Sequence, residues 1–190
     1  MDVYKLSTTQ QDILSIYNFA NFYGTMTKSD TNHPDGHKIF IELTKDGICI
    51  TEHKKEIVWV LKGANAHLDY IGIKKNFRGG VLSAIHKNCI KVLSASRSIQ
   101  RVTLKPLLNI VTMWLYLGFK FERDSQKDLF ITTLIGWIDT HGIDYDISNI
   151  ENGTIAEVMK GLRYYFTQYG FPSYLNEQHY YVSTLYKDVS

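Results

Sequence analysis

Residues 66–73, AHLDYIGI, run through 74–80, KKNFRGG, into 81–94, VLSAIHKNCIKVLS. The first piece has the alternation of a strand, and the second is a polar, glycine-bearing connection. The third places Leu82, Ile85, Cys89, Val92 and Leu93 at helical spacing, which predicts a helix with one buried side. A further strand, QRVTLK at 100–105, completes a strand–helix–strand unit. Such a unit makes a right-handed crossover with parallel pairing.

Upstream, Thr8 or Thr9 is placed to cap a helix that continues through Ile13, Ile16, Tyr17 and Phe19 to about Phe22, with Gly24 ending it. Residues 25–37, TMTKSDTNHPDGH, are polar and rich in turn formers, so a surface loop is expected. The period then becomes two: KIFIELT, a turn at Lys45-Asp46-Gly47 and ICITE predict a hairpin, and EIVWVLK adds a strand. These connections are too short for crossovers, so their strands must be antiparallel.

Downstream, LLNIVTMWLYL predicts a short apolar helix, GFKFE a strand and DLFITTLIG a last strand. Beyond Gly136, Thr154 and Glu157 have capping-box spacing ahead of a helix at 154–169, and 179–187 alternates like a strand. The expected fold is α/β, a mixed, mostly antiparallel twisted sheet with helices on both faces. Residues 1–136 form its domain and residues 137–190 an extension packed on it.

Bulk properties narrow the partners. Lysine and arginine total 21 against 19 acidic residues, a formal net charge of +2, so no strong field draws nucleic acid or an anionic membrane. No apolar run approaches the roughly 18 residues that cross a bilayer, and the first residues lack a signal-peptide pattern. The only cysteines, Cys49 and Cys89, lie in apolar stretches, which points to a reducing, cytoplasmic setting. His33, His37, His53 and His86 are too scattered to propose a metal site.

The segment LDYIGIKKNFRGGVLSAIHKNCIKVL, followed by VTLKPLLNIVTMWLYLGFKFE, resembles the two central motifs of the GNAT superfamily of N-acetyltransferases. In that family a strand leads through an Arg-Gly loop into a helix, and a second helix ends in Tyr-x-x-x-Gly-Phe. The similarity covers residues 66–121 by motif and the rest of 1–135 by element order. It implies acetyl-CoA as co-substrate, gripped at the diphosphate by Arg78 and the amides of Gly79, Gly80, Val81, Leu82 and Ser83. Backbone groups of Ile71, Gly72 and Ile73 would line the pantetheine arm, with Asn109 completing the set. The loop logic has its own physical basis, because a helix N-terminus offers unpartnered N–H groups and partial positive charge.

Two departures accompany the resemblance. Aligned on Arg78, the family's glycine positions fall on Val81 and Ser83, while the glycines here are 79 and 80. The family's tyrosine acid falls on Trp114, with Tyr116 as the nearby phenol.

Transfer to an amine also needs a proton acceptor. Strict alternation puts His67, Asp69 and Ile71 on one strand face and Leu68, Tyr70 and Gly72 on the other. His67, with an unperturbed pKa of roughly 6.5, or Asp69 is the expected base. The duller reading makes them a hydrogen-bonded pair at a sheet edge.

The implied activity is transfer of an acetyl group to a primary amine on a small molecule or protein, by direct attack in a ternary complex. The alternative is a GNAT-fold binding or structural protein without catalysis, which the departures favour. The apolar stripe of 155–166 is expected to pack within the chain, with a homodimer as the next reading.

Overall fold

The structure, a computed structural model, describes residues 6–52, 56–78, 80–96, 98–106, 111–170 and 184–189. Among them are eight strands and seven α-helices, and every strand pair with a resolved register is antiparallel. No helix among the described residues is long and apolar enough to cross a membrane. The chain divides into two compact units, residues 1–103 with 188–190, and residues 104–187.

The first unit opens with α1 (Thr8–Ser15), whose N-cap is Ser7 rather than a threonine. Ser7 and Gln10 exchange side-chain-to-backbone hydrogen bonds in a capping box. The helix stops at Ser15, earlier than its apolar spacing suggests, and Ala20 and Asn21 then take positive φ values of 38° and 67° and reverse the chain. Asn88 of a later helix covers the exposed carbonyls of Ser15 and Ile16.

Next comes β1 (Phe22–Asp30), which overturns the expectation of a loop over 25–37; only its last part is a turn. An end strand with most of its side chains exposed needs no apolar alternation, so TMTKSD carries no strand pattern. Gly24 belongs to this strand and does not end α1. A Cβ there would meet the Tyr17 Cβ at 2.7 Å.

Strands β2 (His37–Lys45), β3 (Ile48–Cys49) and β4 (Ile57–Lys62) follow as expected, with Asp46 and Gly47 supplying the left-handed turn between β2 and β3. Strand β5 (Asn65–Tyr70), helix α2 (Val81–Ala95) and strand β6 (Arg101–Leu104) form the crossover, and the sheet order runs β1-β2-β4-β5-β6. The Ala64 carbonyl accepts from the Gln100 N–H at 2.8 Å, and His67 meets Thr103 further along at 2.7 Å. Residue numbers therefore rise together on β5 and β6, which makes the pair parallel and the sheet mixed.

One sheet face carries the aligned row Ile39, Trp59 and Leu68, exposed by 0%, 1% and 7%. Its centre is a buried pin: Trp59 Nε1 donates to the Tyr17 hydroxyl at 2.7 Å. Burial pushes the Tyr17 phenol far above its ordinary pKa, so it stays protonated. Helix α2 closes this side with Ile85, Cys89 and Leu93, the stripe anticipated from the sequence.

The second unit holds α3 (Val111–Tyr116), β7 (Lys120–Phe121), α4 (Asp124–Thr140), α5 (Ile147–Asn152), α6 (Ile155–Gly161), α7 (Arg163–Tyr169) and β8 (Leu185–Asp188). DLFITTLIG is not a strand; it lies within α4, which buries Phe130, Leu134 and Ile138 at four-residue spacing. Strand β7 pairs instead with β8, Phe121 opposite Leu185. The helix expected over 154–169 is broken at Leu162 into α6 and α7. Thr154 is the N-cap of α6, but its side chain makes no capping bond. Of the strand expected over 179–187, residues 179–183 lie outside the described residues.

Candidate functional site

The pairing of β4 with β5 shifts once: Trp59 faces Leu68, but Val58 faces Tyr70. Asp69 is the extra residue of a β-bulge, which breaks the alternation assumed from the sequence. Tyr70 thus joins His67 on the face opposite Trp59, in line with Val58 and Phe40. This corrects the division that set Tyr70 and His67 on opposite sides. Sequence period alone cannot reveal an inserted residue, because the pattern on either side of it remains regular.

His67 Nδ1 and Thr103 Oγ1 lie 2.7 Å apart. If the ring donates from Nδ1, its Nε2 becomes the basic nitrogen, the tautomer a proton acceptor requires. Asp69 is otherwise engaged: its carboxylate takes the Lys38 ammonium at 2.7 Å, with Asp69 42% exposed. Asp69 thus pairs with Lys38 of β2, across β4, and His67 with Thr103 of the adjacent β6.

After the bulge, residues 71–74 leave β4 and meet a different segment. Thr51 bridges Ile73, the Glu52 N–H donates to the Gly72 carbonyl at 3.1 Å, and the Lys74 N–H donates to the Ile50 carbonyl at 2.9 Å. Backbone groups alternate sides along an extended chain, so those of Ile71 and Ile73 point to the opposite edge. That edge is where the resemblance places a pantetheine arm. Arg78 already reaches it, its Nε donating to the Ile73 carbonyl at 2.9 Å.

The loop itself is a short 3-10 turn, Lys75–Phe77, followed by Arg78 and then Gly80 as the N-cap of α2. Gly80 is left-handed, with φ of 74°, and a Cβ added there would meet nothing within 4 Å. The turn is open. No side chain caps α2 and no acidic residue lies in its first turn. The first intrahelical bond runs from the Ala84 N–H to the Gly80 carbonyl, so the amides of Val81, Leu82 and Ser83 precede the helical ladder. Val81 is 5% exposed, which turns its side chain into the core rather than over those amides. The Val81 departure from the family spacing thus does not crowd the opening, and Ser83 lies on the exposed side of the helix. These features fit a diphosphate. Gly79 and Asn109 lie outside the described residues.

Sequence reasoning missed the partners. Arg78 Nη2 meets Glu52 Oε1 at 2.5 Å, and Tyr70 is hydrogen-bonded to the same carboxylate. Burial raises the Tyr70 pKa first, the Glu52 charge and hydrogen bond add to it, and Arg78 opposes. Tyr70 consequently stays a phenol and donates to Glu52. Its ring lies over Gly72, where a Cβ would collide with it, Cε1 being 2.8 Å away. The glycine at 72 was the available sign that something packs against that backbone.

Tyr116, in the second unit, is half-buried and lines an open cavity of about 270 Å³ with Arg163, Phe166 and Thr167. Trp114 is core, 5% exposed and packed edge-on against Phe119 at 5.3 Å. Gly118, with φ of 87°, ends α3 and returns the Phe119 N–H to the Trp114 carbonyl. The Gly-Phe pair of the resemblance is thus a helix stop followed by a buried ring.

No protein-family model and no curated protein matches the chain. Among solved structures, it is similar to the GNAT domain of S. lividans PAT, at 18% identity and a TM-score of 0.36, over 48% of this chain and 57% of that one. It is also similar to nourseothricin acetyltransferase, at 10% identity and a TM-score of 0.35, over 62% of this chain and 81% of that one. The chain therefore spans less than two thirds of the first of these proteins.

Proposed function

We propose that the chain is a GNAT-type acyltransferase that moves an acetyl group from acetyl-CoA to a primary amine by direct attack in a ternary complex. The observation that carries this reading is the start of α2: a left-handed Gly80 in open space, ahead of a helix with no side-chain cap. The amides of Val81, Leu82 and Ser83 would hold the diphosphate, with Arg78 adding a full charge. The edge of residues 71–73 that Arg78 reaches would line the pantetheine arm.

Acetyl-CoA, when bound, supplies an activated acyl carbonyl. The chain's own task is to neutralise the amine. His67 takes that proton at Nε2, and Thr103 fixes its ring. Asp69, engaged with Lys38, is the weaker acceptor and serves as a fixed negative charge.

A second reading, a GNAT-fold binding or structural protein without catalysis, is favoured by Arg78 being already engaged by Glu52 and the Ile73 carbonyl. Calorimetry with acetyl-CoA, followed by thiol release over a panel of polyamines, amino sugars, lysine peptides and free peptide N-termini, separates the two. Heat of binding with release for one acceptor class supports the transferase. Binding without release supports the second reading, and no heat at millimolar acetyl-CoA removes the transferase.

A further inference from the structure

We infer that Glu52 sets the cofactor affinity of this site by standing in for the diphosphate on Arg78, a step that rests on the acetyl-CoA reading above. Arg78 is the full positive charge beside the open start of α2, and its guanidinium is spanned by two acceptors. The Ile73 carbonyl takes Nε at 2.9 Å, and the Glu52 carboxylate takes Nη2 at 2.5 Å. A carboxylate on a guanidinium reproduces the contact a phosphate oxygen would make.

Glu52 is not a stray surface partner. Its backbone N–H is bonded to the Gly72 carbonyl, so its position is set by the same strand segment that leads into the loop. Its side chain is 33% exposed against 60% for Arg78, so the acid is the more buried member of the pair and the arginine the one nearer to solvent. Tyr70 supplies a second donor to the carboxylate. When Arg78 turns toward a diphosphate, Glu52 keeps the Tyr70 hydroxyl and is not left unpartnered.

The two states of Arg78 exclude each other electrostatically. A diphosphate drawn to Arg78 approaches Glu52 as well, and like charges at that range repel. The free protein is therefore held in a latched form, and cofactor must break the ion pair in order to bind. Relief of a part-exposed ion pair is worth a small factor, about two- to fivefold in affinity.

The test is calorimetric titration of acetyl-CoA into the wild type and Glu52→Gln, each checked by thermal unfolding without ligand. The variant is expected to bind about two- to fivefold more tightly. Glu52→Ala should show the same gain, since loss of the carboxylate rather than the new amide is responsible. A folding defect would weaken binding, so a gain is not a product of damage. Equal or weaker binding by both variants, with the wild type binding, overturns the latch and leaves the acyltransferase reading intact. Absence of binding by all three proteins overturns both.

Discussion

The two faces of the first unit's sheet are built from the same strands and do different work. On the face of Ile39, Trp59 and Leu68 the side chains are shut away from water, and the polar atoms of Trp59 and Tyr17 satisfy each other. On the face of Lys38, Phe40, His67 and Tyr70 the side chains are half-exposed, and their polar groups reach across strands to partners with charge or hydroxyls. The difference arises at Asp69. Without the bulge there, Tyr70 would turn toward the core face and could not meet Glu52 from the His67 side. One side is thus core, and the other carries the polar pairings, with one inserted residue enlarging that polar side.

The sharpest way to break the comparison is to hollow the closed face. Trp59→Ala removes the largest fully buried side chain and strands the Tyr17 hydroxyl, so it should cost about 3–5 kcal/mol in denaturant unfolding. On the open face, His67→Ala should cost less than about 2 kcal/mol, since the Thr103 hydrogen bond it loses is only part-buried. Acetyl transfer by the same variant should fall by about a hundredfold or more. If that variant instead lost stability and kept its rate, the two faces would not divide the work as described.

Smaller changes sharpen the contrast. Gly24→Ala drives a Cβ into Tyr17 on the closed side, where the backbone-proximal atom cannot swing away, and should cost about 1–3 kcal/mol by thermal unfolding. Asp69→Asn removes the ion pair with Lys38 on the open side. With Asp69 42% exposed, stability should change by less than about 1 kcal/mol, and the effect should shrink further in high salt.

How far the sequence reveals this division follows from the same physics. Strands β2 and β4 were legible because one side of β2 and both sides of β4 are apolar, and α2 because Ile85, Cys89 and Leu93 recur at helical spacing. Strand β1 was not, since its exposed Thr, Lys and Ser residues do not separate strand from loop. Helix α4 was misread because Ile131, Thr132 and Thr133 are β-branched; tertiary burial of Phe130, Leu134 and Ile138 outweighs that local preference. Helix α2 starts at Val81, where the sequence put it, with Gly80 as its N-cap. Glu52, Lys38 and Thr103 became visible as partners only through pairing between distant strands, and no local pattern encodes that pairing.

The most direct measurement is of the amides at the start of α2. In a nitrogen-15 NMR titration with acetyl-CoA, the resonances of Val81, Leu82 and Ser83 should move progressively and saturate together, while that of Trp59 on the closed face stays in place. Unmoved resonances at those three residues with millimolar acetyl-CoA, or shifts confined to another part of the chain, would contradict the diphosphate site.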